Sequence, residues 1–123
     1  MTPSLTILRT LALALPEATE EAHMGHPDFR VRGKIFATAR TDDARGVLKL
    51  PPEIAETMIA THPEVFSPTP GAWGRRGWTY VQTDVADGPL LRDLVALAWR
   101  QVAPKRLIAA FAAAQEGLRP PHD

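Results

Sequence analysis

The chain contains no cysteine, which excludes disulfides, thiolate nucleophiles and Cys-ligated zinc or iron–sulfur centres. It has no excess charge of either sign. Fourteen Lys+Arg balance fourteen Asp+Glu, so neither a histone-like polycation nor an acidic solvating tail is present. It also lacks a long apolar run. The best candidate, Leu5 to Leu15, is about half of the roughly 20 residues a bilayer crossing needs, and it contains Arg9. That segment has no basic start and no small-residue cleavage site, so no signal peptide is expected and a cytoplasmic location is the default. Serine is scarce: Ser4 and Ser67 stand alone, and neither sits in a G-x-S-x-G turn. The glycines around Arg75 do not form a Walker loop, and no G-x-G-x-x-G links a strand to a helix. The carboxylate pairs Glu20-Glu21 and Asp42-Asp43 are adjacent in sequence and cannot face each other across a cleft. These absences favour a non-enzymatic protein without a cofactor.

What is present is an ordinary core for one domain. The 123 residues are 45% hydrophobic and 23% charged, and the chain shows no repeat. Twelve prolines and eight glycines divide it into short elements. Leu5, Leu8, Leu11, Ala12 and Leu15 recur at helical spacing behind Thr2 as cap and Pro3 in the first turn, and Leu15-Pro16 should end this helix. Residues 19–50 read as strands. Phe29 and Val31 alternate with Arg30 and Arg32, Gly33 permits a turn, and Lys34 to Ala39 returns. Thr41-Asp42-Asp43 is a second turn before the strand Gly46 to Leu50. Connections this short require antiparallel neighbours.

Pro51-Pro52-Glu53 opens a short helix with Ile54, Met58 and Ile59 toward the core, and Thr61-His62-Pro63 ends it. Val65-Phe66 reads as a brief strand, residues 67–77 as a loop, and residues 78–83 as the last strand, with Trp78 in the core. Asp87 caps the strongest helix, whose buried side carries Leu91, Leu94, Val95, Ala98 and Val102. Pro104 interrupts it, and a further helix runs from Lys105 to Ala114. Residues 117–123 are expected to fray. The whole implies an α+β, two-layer domain over residues 1–116.

Three groups of residues could carry function. His23 and His26 form an H-x-x-H pair, but Gly25 and Pro27 oppose a helix there, and a strand would point the two rings to opposite faces. With no third ligand at a recognisable spacing, no metal is expected. Between Phe29 and Leu50, six basic residues face two acids, and Arg30, Arg32, Lys34 and Lys49 could follow a phosphate backbone from one sheet face. In the segment from Gly71 to Trp78, Trp73 could stack on a base while Arg75 and Arg76 grip phosphates.

These residues carry a family resemblance along nearly the whole chain. Leu15-Pro16, Phe29-Arg30-Val31-x-Gly33-Lys34-Ile35-Phe36-Ala37, Leu48-Lys49 with Pro52-Glu53, Gly74-Arg75-Arg76-Gly77-Trp78-Thr79 and Pro104-Lys105-Arg106-Leu107, in this order, resemble the MmcQ/YjbR family. Many members have Asn and His flanking the basic pair, where this chain has Gly74 and Gly77. The resemblance implies an antiparallel sheet with packed helices, similar to the type III secretion chaperone-like class. It also implies DNA binding through two β-wings, a label argued from fold. The resulting expectation is a monomeric, non-enzymatic protein that binds DNA in a sequence-tolerant, salt-sensitive way. Arg30, Arg32, Lys34, Lys49, Trp73, Arg75 and Arg76 would be its contacts. Two alternatives remain open: a chaperone-like module that binds another protein, and a small-molecule binder or enzyme with a pocket near His23, His26 and Trp73.

Overall fold

The computed structural model describes residues 2–117. Helix α1 (Pro3–Leu13) starts as its sequence dictates: Thr2 Oγ1 accepts a hydrogen bond from the Leu5 N–H at 3.3 Å. It stops two residues before Leu15, and Leu5, Leu8 and Ala12 are fully buried. Four strands follow: β1 (Ala18–His23), β2 (His26–Val31), β3 (Lys34–Arg40) and β4 (Arg45–Lys49). Helix α2 (Pro52–Thr61) ends before the proline at 63, as expected. Its fully buried residue, however, is Ala55, and Ile54, Met58 and Ile59 pack only at the margin of the core.

The segment expected to be a loop contains structure. After β5 (Phe66–Pro68), residues Gly71–Arg75 form a short helix, α3, before β6 (Trp78–Val81). Five residues are too few for any apolar periodicity to show. Helix α4 (Gly88–Arg100) is capped by Asp87, whose Oδ2 accepts from the Leu90 N–H at 3.0 Å. Helix α5 (Lys105–Gly117) begins directly after Pro104 and extends past Ala114. Apart from Gly117, the tail expected to fray lies outside the described residues.

All strands join one antiparallel sheet in the order β1-β2-β3-β4-β6-β5, so the fold is α+β. Strand alternation sends Phe29, Val31, Leu48 and Val81 to one face, where α1 and α4 pack with Leu91, Val95, Ala98 and Trp99. The Trp99 indole N–H donates to the Pro16 carbonyl at 2.9 Å and ties α4 to the end of the first helix–strand connection. Phe111 of α5 covers Trp99 edge-on, with ring centroids 5.1 Å apart.

One irregularity shapes the sheet. Phe29 pairs with Ala37, but Arg30 pairs with Ile35, so Phe36 is an extra residue in β3. Such a bulge bends its strand and lets two consecutive side chains turn the same way. Phe36 and Ala37 are accordingly both fully buried.

Candidate functional site

The opposite face of the sheet is covered only in part. Asp28, Thr38, Val47 and Tyr80 are register partners on four successive strands and form one row across it. Arg40 with Arg45, and Lys49 with Trp78, form the flanking pairs. Helix α3 leans over one end and brings Trp73 edge-on to Trp78, with centroids 5.8 Å apart and planes at 65°. Between them lies an open cavity of about 890 Å³, within the usual range for small-molecule sites. His23, His26, Lys34, Lys49, Trp73, Trp78 and Tyr80 all line it.

Local chain geometry explains why these side chains meet. Met24 and Gly25 both have positive φ, +50° and +81°, and make the two-residue turn of the β1–β2 hairpin. His23 and His26 close that hairpin as direct partners, so their rings share a face instead of pointing apart as expected. Two residues that directly flank a two-residue turn behave as a cross-strand pair, not as residues of one strand. Among the described residues no group of three or more His, Asp or Glu side chains comes together to hold a metal ion.

Glycine is required where α3 returns to the sheet. Gly77 has φ +97°, and a Cβ there would lie 1.8 Å from the Leu50 carbonyl oxygen. A Cβ on Gly74 would lie 2.2 Å from the Thr69 carbonyl oxygen. The backbone approach that seats Trp78 next to Lys49 therefore leaves no room for a larger residue at either position.

The basic residues between Arg30 and Arg76 divide into three sets. The first is tied up by carboxylates. Arg30 donates to both oxygens of Asp28, at 2.7 and 2.9 Å, and approaches Glu21 at 3.6 Å. Arg32 does not share the strand face of Arg30; it sits in the β2–β3 turn with φ +51° and donates to Glu17 at 3.2 Å. Part of the basic run from Phe29 to Leu50 is thus paired with acids that precede it: Asp28 from β2 itself, and Glu17 and Glu21 because β1 returns alongside β2. Arg40 and Arg45 are likewise paired with Asp43, and Arg45 also lies 3.7 Å from the centroid of the Tyr80 ring. Hydrogen bonding from Arg45 is the main cause that holds the Asp43 carboxyl below its ordinary value.

The second set, Lys34 and Lys49, has no carboxylate partner among the described residues, and both lysines line the cavity. The Lys49 ammonium stands 5.8 Å from the Trp78 ring centroid. The third set, Arg75 and Arg76, is exposed at the end of α3 but does not line the cavity. Of the seven expected contact residues, Lys34, Lys49 and Trp73 line the cavity, Arg30 and Arg32 are held by carboxylates outside its lining, and Arg75 and Arg76 lie at the exposed end of α3.

Sequence reasoning missed Asp28 altogether. It is fully buried, and burial alone would raise its carboxyl pKa. Hydrogen bonds from Arg30 and His23 outweigh that effect and lower it. The His23 Nδ1 lies 2.7 Å from Asp28 Oδ2. The available signal was Asp28 and Arg30 two apart on one strand, which places both on the same side. Trp78, expected in the core, instead forms half of the aromatic wall, and Trp99 takes the core position.

The architecture has a counterpart in a crystal structure of Deinococcus radiodurans protein DR2400, assigned the domain DUF419. The TM-score is 0.72 at 23% identity, with 83% of this chain and 80% of that chain covered, a likeness of fold. No curated protein is significantly similar to the chain. The family model YjbR matches residues 13–101, a span that takes in all six strands and the whole of α4. With that match over well more than half its length, the chain belongs to the YjbR family.

Proposed function

We propose that the cavity on the open sheet face binds a small planar anion with an aromatic body. The observation that carries this reading is that Lys34 and Lys49, the lining lysines without carboxylate partners among the described residues, share the cavity with Trp73, Trp78 and Tyr80. Aromatic faces and edges bury a ring, and an ammonium group beside them neutralises a carboxylate or phosphate. Trp73, at 59% exposed, has surface to cover on binding. Phenylacetate is a suitable probe. In an ¹H–¹⁵N spectrum it should shift the indole N–H signals of Trp73 and Trp78 saturably and leave that of buried Trp99 in place. Lys34→Ala/Lys49→Ala should weaken the effect at least tenfold. Shifts absent at millimolar probe, or unchanged in the double variant, would remove the reading.

One observation favours a second reading, in which nucleic acid binds. Arg75 and Arg76 are exposed, have no carboxylate partner among the described residues and adjoin Trp73. Phosphates on these guanidinium groups with a base on Trp73 would give salt-sensitive, sequence-tolerant affinity for DNA. Arg75→Ala/Arg76→Ala should abolish duplex binding at low salt, and undiminished binding would refute it.

A further inference from the structure

We propose that His23 is a proton-transfer residue of this cavity, and that the reaction it serves is the enolisation of an aromatic 2-oxo acid. The proposal rests on the small-anion reading above and adds a chemistry to it. His23 is the last residue of β1, and its imidazole is held from behind: Nδ1 meets the buried Asp28 carboxylate at 2.7 Å. Asp28 in turn is fixed by two hydrogen bonds from Arg30. Against an ionised carboxylate Nδ1 carries the hydrogen, so in the neutral ring the lone pair resides on Nε2. The His23 side chain is 41% exposed and lines the cavity, so the ring is open to a ligand on the side away from Asp28. Asp28 is here a positioning residue, selecting the tautomer and the ring orientation.

The rest of the lining narrows the chemistry. It includes no serine or cysteine, so neither usual acyl-transfer nucleophile is at hand. It does include two lysine ammonium groups, suited to a carboxylate and to oxygen charge that develops during reaction. An aryl 2-oxo acid supplies a ring for the Trp73–Trp78–Tyr80 wall, a carboxylate, and acidic hydrogens on C3. Nε2 takes a C3 proton. The C–H electron pair becomes the C2–C3 double bond, and the C2 carbonyl oxygen takes up the negative charge. Nε2 then returns the proton to that oxygen, giving the enol, or to C3, giving back the ketone. Nothing is oxidised or reduced, and no co-reactant is needed.

In D₂O the imidazolium hydrogen exchanges with solvent, so the reaction is visible as deuterium entering C3. Phenylpyruvate with the full chain, followed by proton NMR, is the test. The C3 signal should decay saturably and faster than with free imidazole at equal concentration. His23→Gln should slow it by about 100-fold or more, the usual contribution of a general base, while phenylpyruvate still shifts the Trp73 and Trp78 indole signals. Those signals also report that the variant is folded. Asp28→Asn should lower the maximal rate and leave half-saturation unchanged. Binding with exchange no faster than imidazole, or exchange unaltered in His23→Gln, overturns the proton-transfer assignment and leaves the binding reading intact. Unmoved indole signals overturn both.

Discussion

Replacing Asp28 by Ala tests the ionic arrangement under the cavity. In the native chain the carboxylate is fully buried and meets Arg30 twice and His23 once. Removing one partner of a buried pair typically costs about 3–5 kcal/mol, because the other charge is left uncompensated. Arg30 keeps 21% of its side chain in solvent, so water recovers part of the loss, and about 2–4 kcal/mol is expected for Asp28→Ala. For a domain of this size that lowers Tm by roughly 10 °C at neutral pH. The sign with pH follows from the carboxyl being held below its ordinary value. Its stabilising contribution is complete above the unfolded-state pKa, near 3.8, and is lost as pH falls through the lower folded-state value. The gap between wild type and Asp28→Ala in urea unfolding should thus be wide at pH 7 and narrow steadily below about pH 3.5. Adding Arg30→Met removes the stranded cation and should restore most of the lost stability. A single variant within about 0.5 kcal/mol of wild type at pH 7, the size of an ordinary surface change, would refute the reasoning. So would a double variant no more stable than the single one.

Gly77→Ala should be destabilised by about 2 kcal/mol or more, since it combines a positive φ with a Cβ 1.8 Å from the Leu50 carbonyl; a wild-type melting curve would contradict this. Trp99→Phe should cost about 2–3 kcal/mol through lost packing and an unpaired Pro16 carbonyl, read by thermal melting, and a loss under about 1 kcal/mol would mean the indole hydrogen bond is dispensable.

The parts of this fold legible in sequence are those governed by local chemistry. Thr2 and Asp87 announce their helices by capping, Pro104 enforces a break, and Gly33 marks a turn. Arg32 occupies the position before Gly33 in that turn, which is why its expected partnership with Arg30 fails. The candidate site was less legible because it is assembled by pairing. Arg30 and Arg32, two of the six cations of the Phe29–Leu50 window, are paired with acids from outside it; Asp28 is a neighbour on the same strand, whereas only the return of β1 alongside β2 brings Glu17 and Glu21 there. Trp73 was visible as a contact candidate, but its alliance with Trp78, Lys34 and Lys49 depends on a five-residue helix with no sequence signature.

The additional residue at Phe36 also lets β3 give two successive side chains to the interior without shifting the pairs on either side of it. With it, Ala37 and Ala39 present small methyl groups to the helices, while Thr38 and Arg40 belong to the cavity side. Loss of that one residue would leave Ile35 opposite Arg30 and Ala37 opposite Phe29, so the inside and outside of the strand would stay as they are. What would go is the fully buried Phe36 ring and the local bend of β3. A deletion of three nucleotides there would therefore act as a large truncation of the interior, with the strand pairing on both sides preserved.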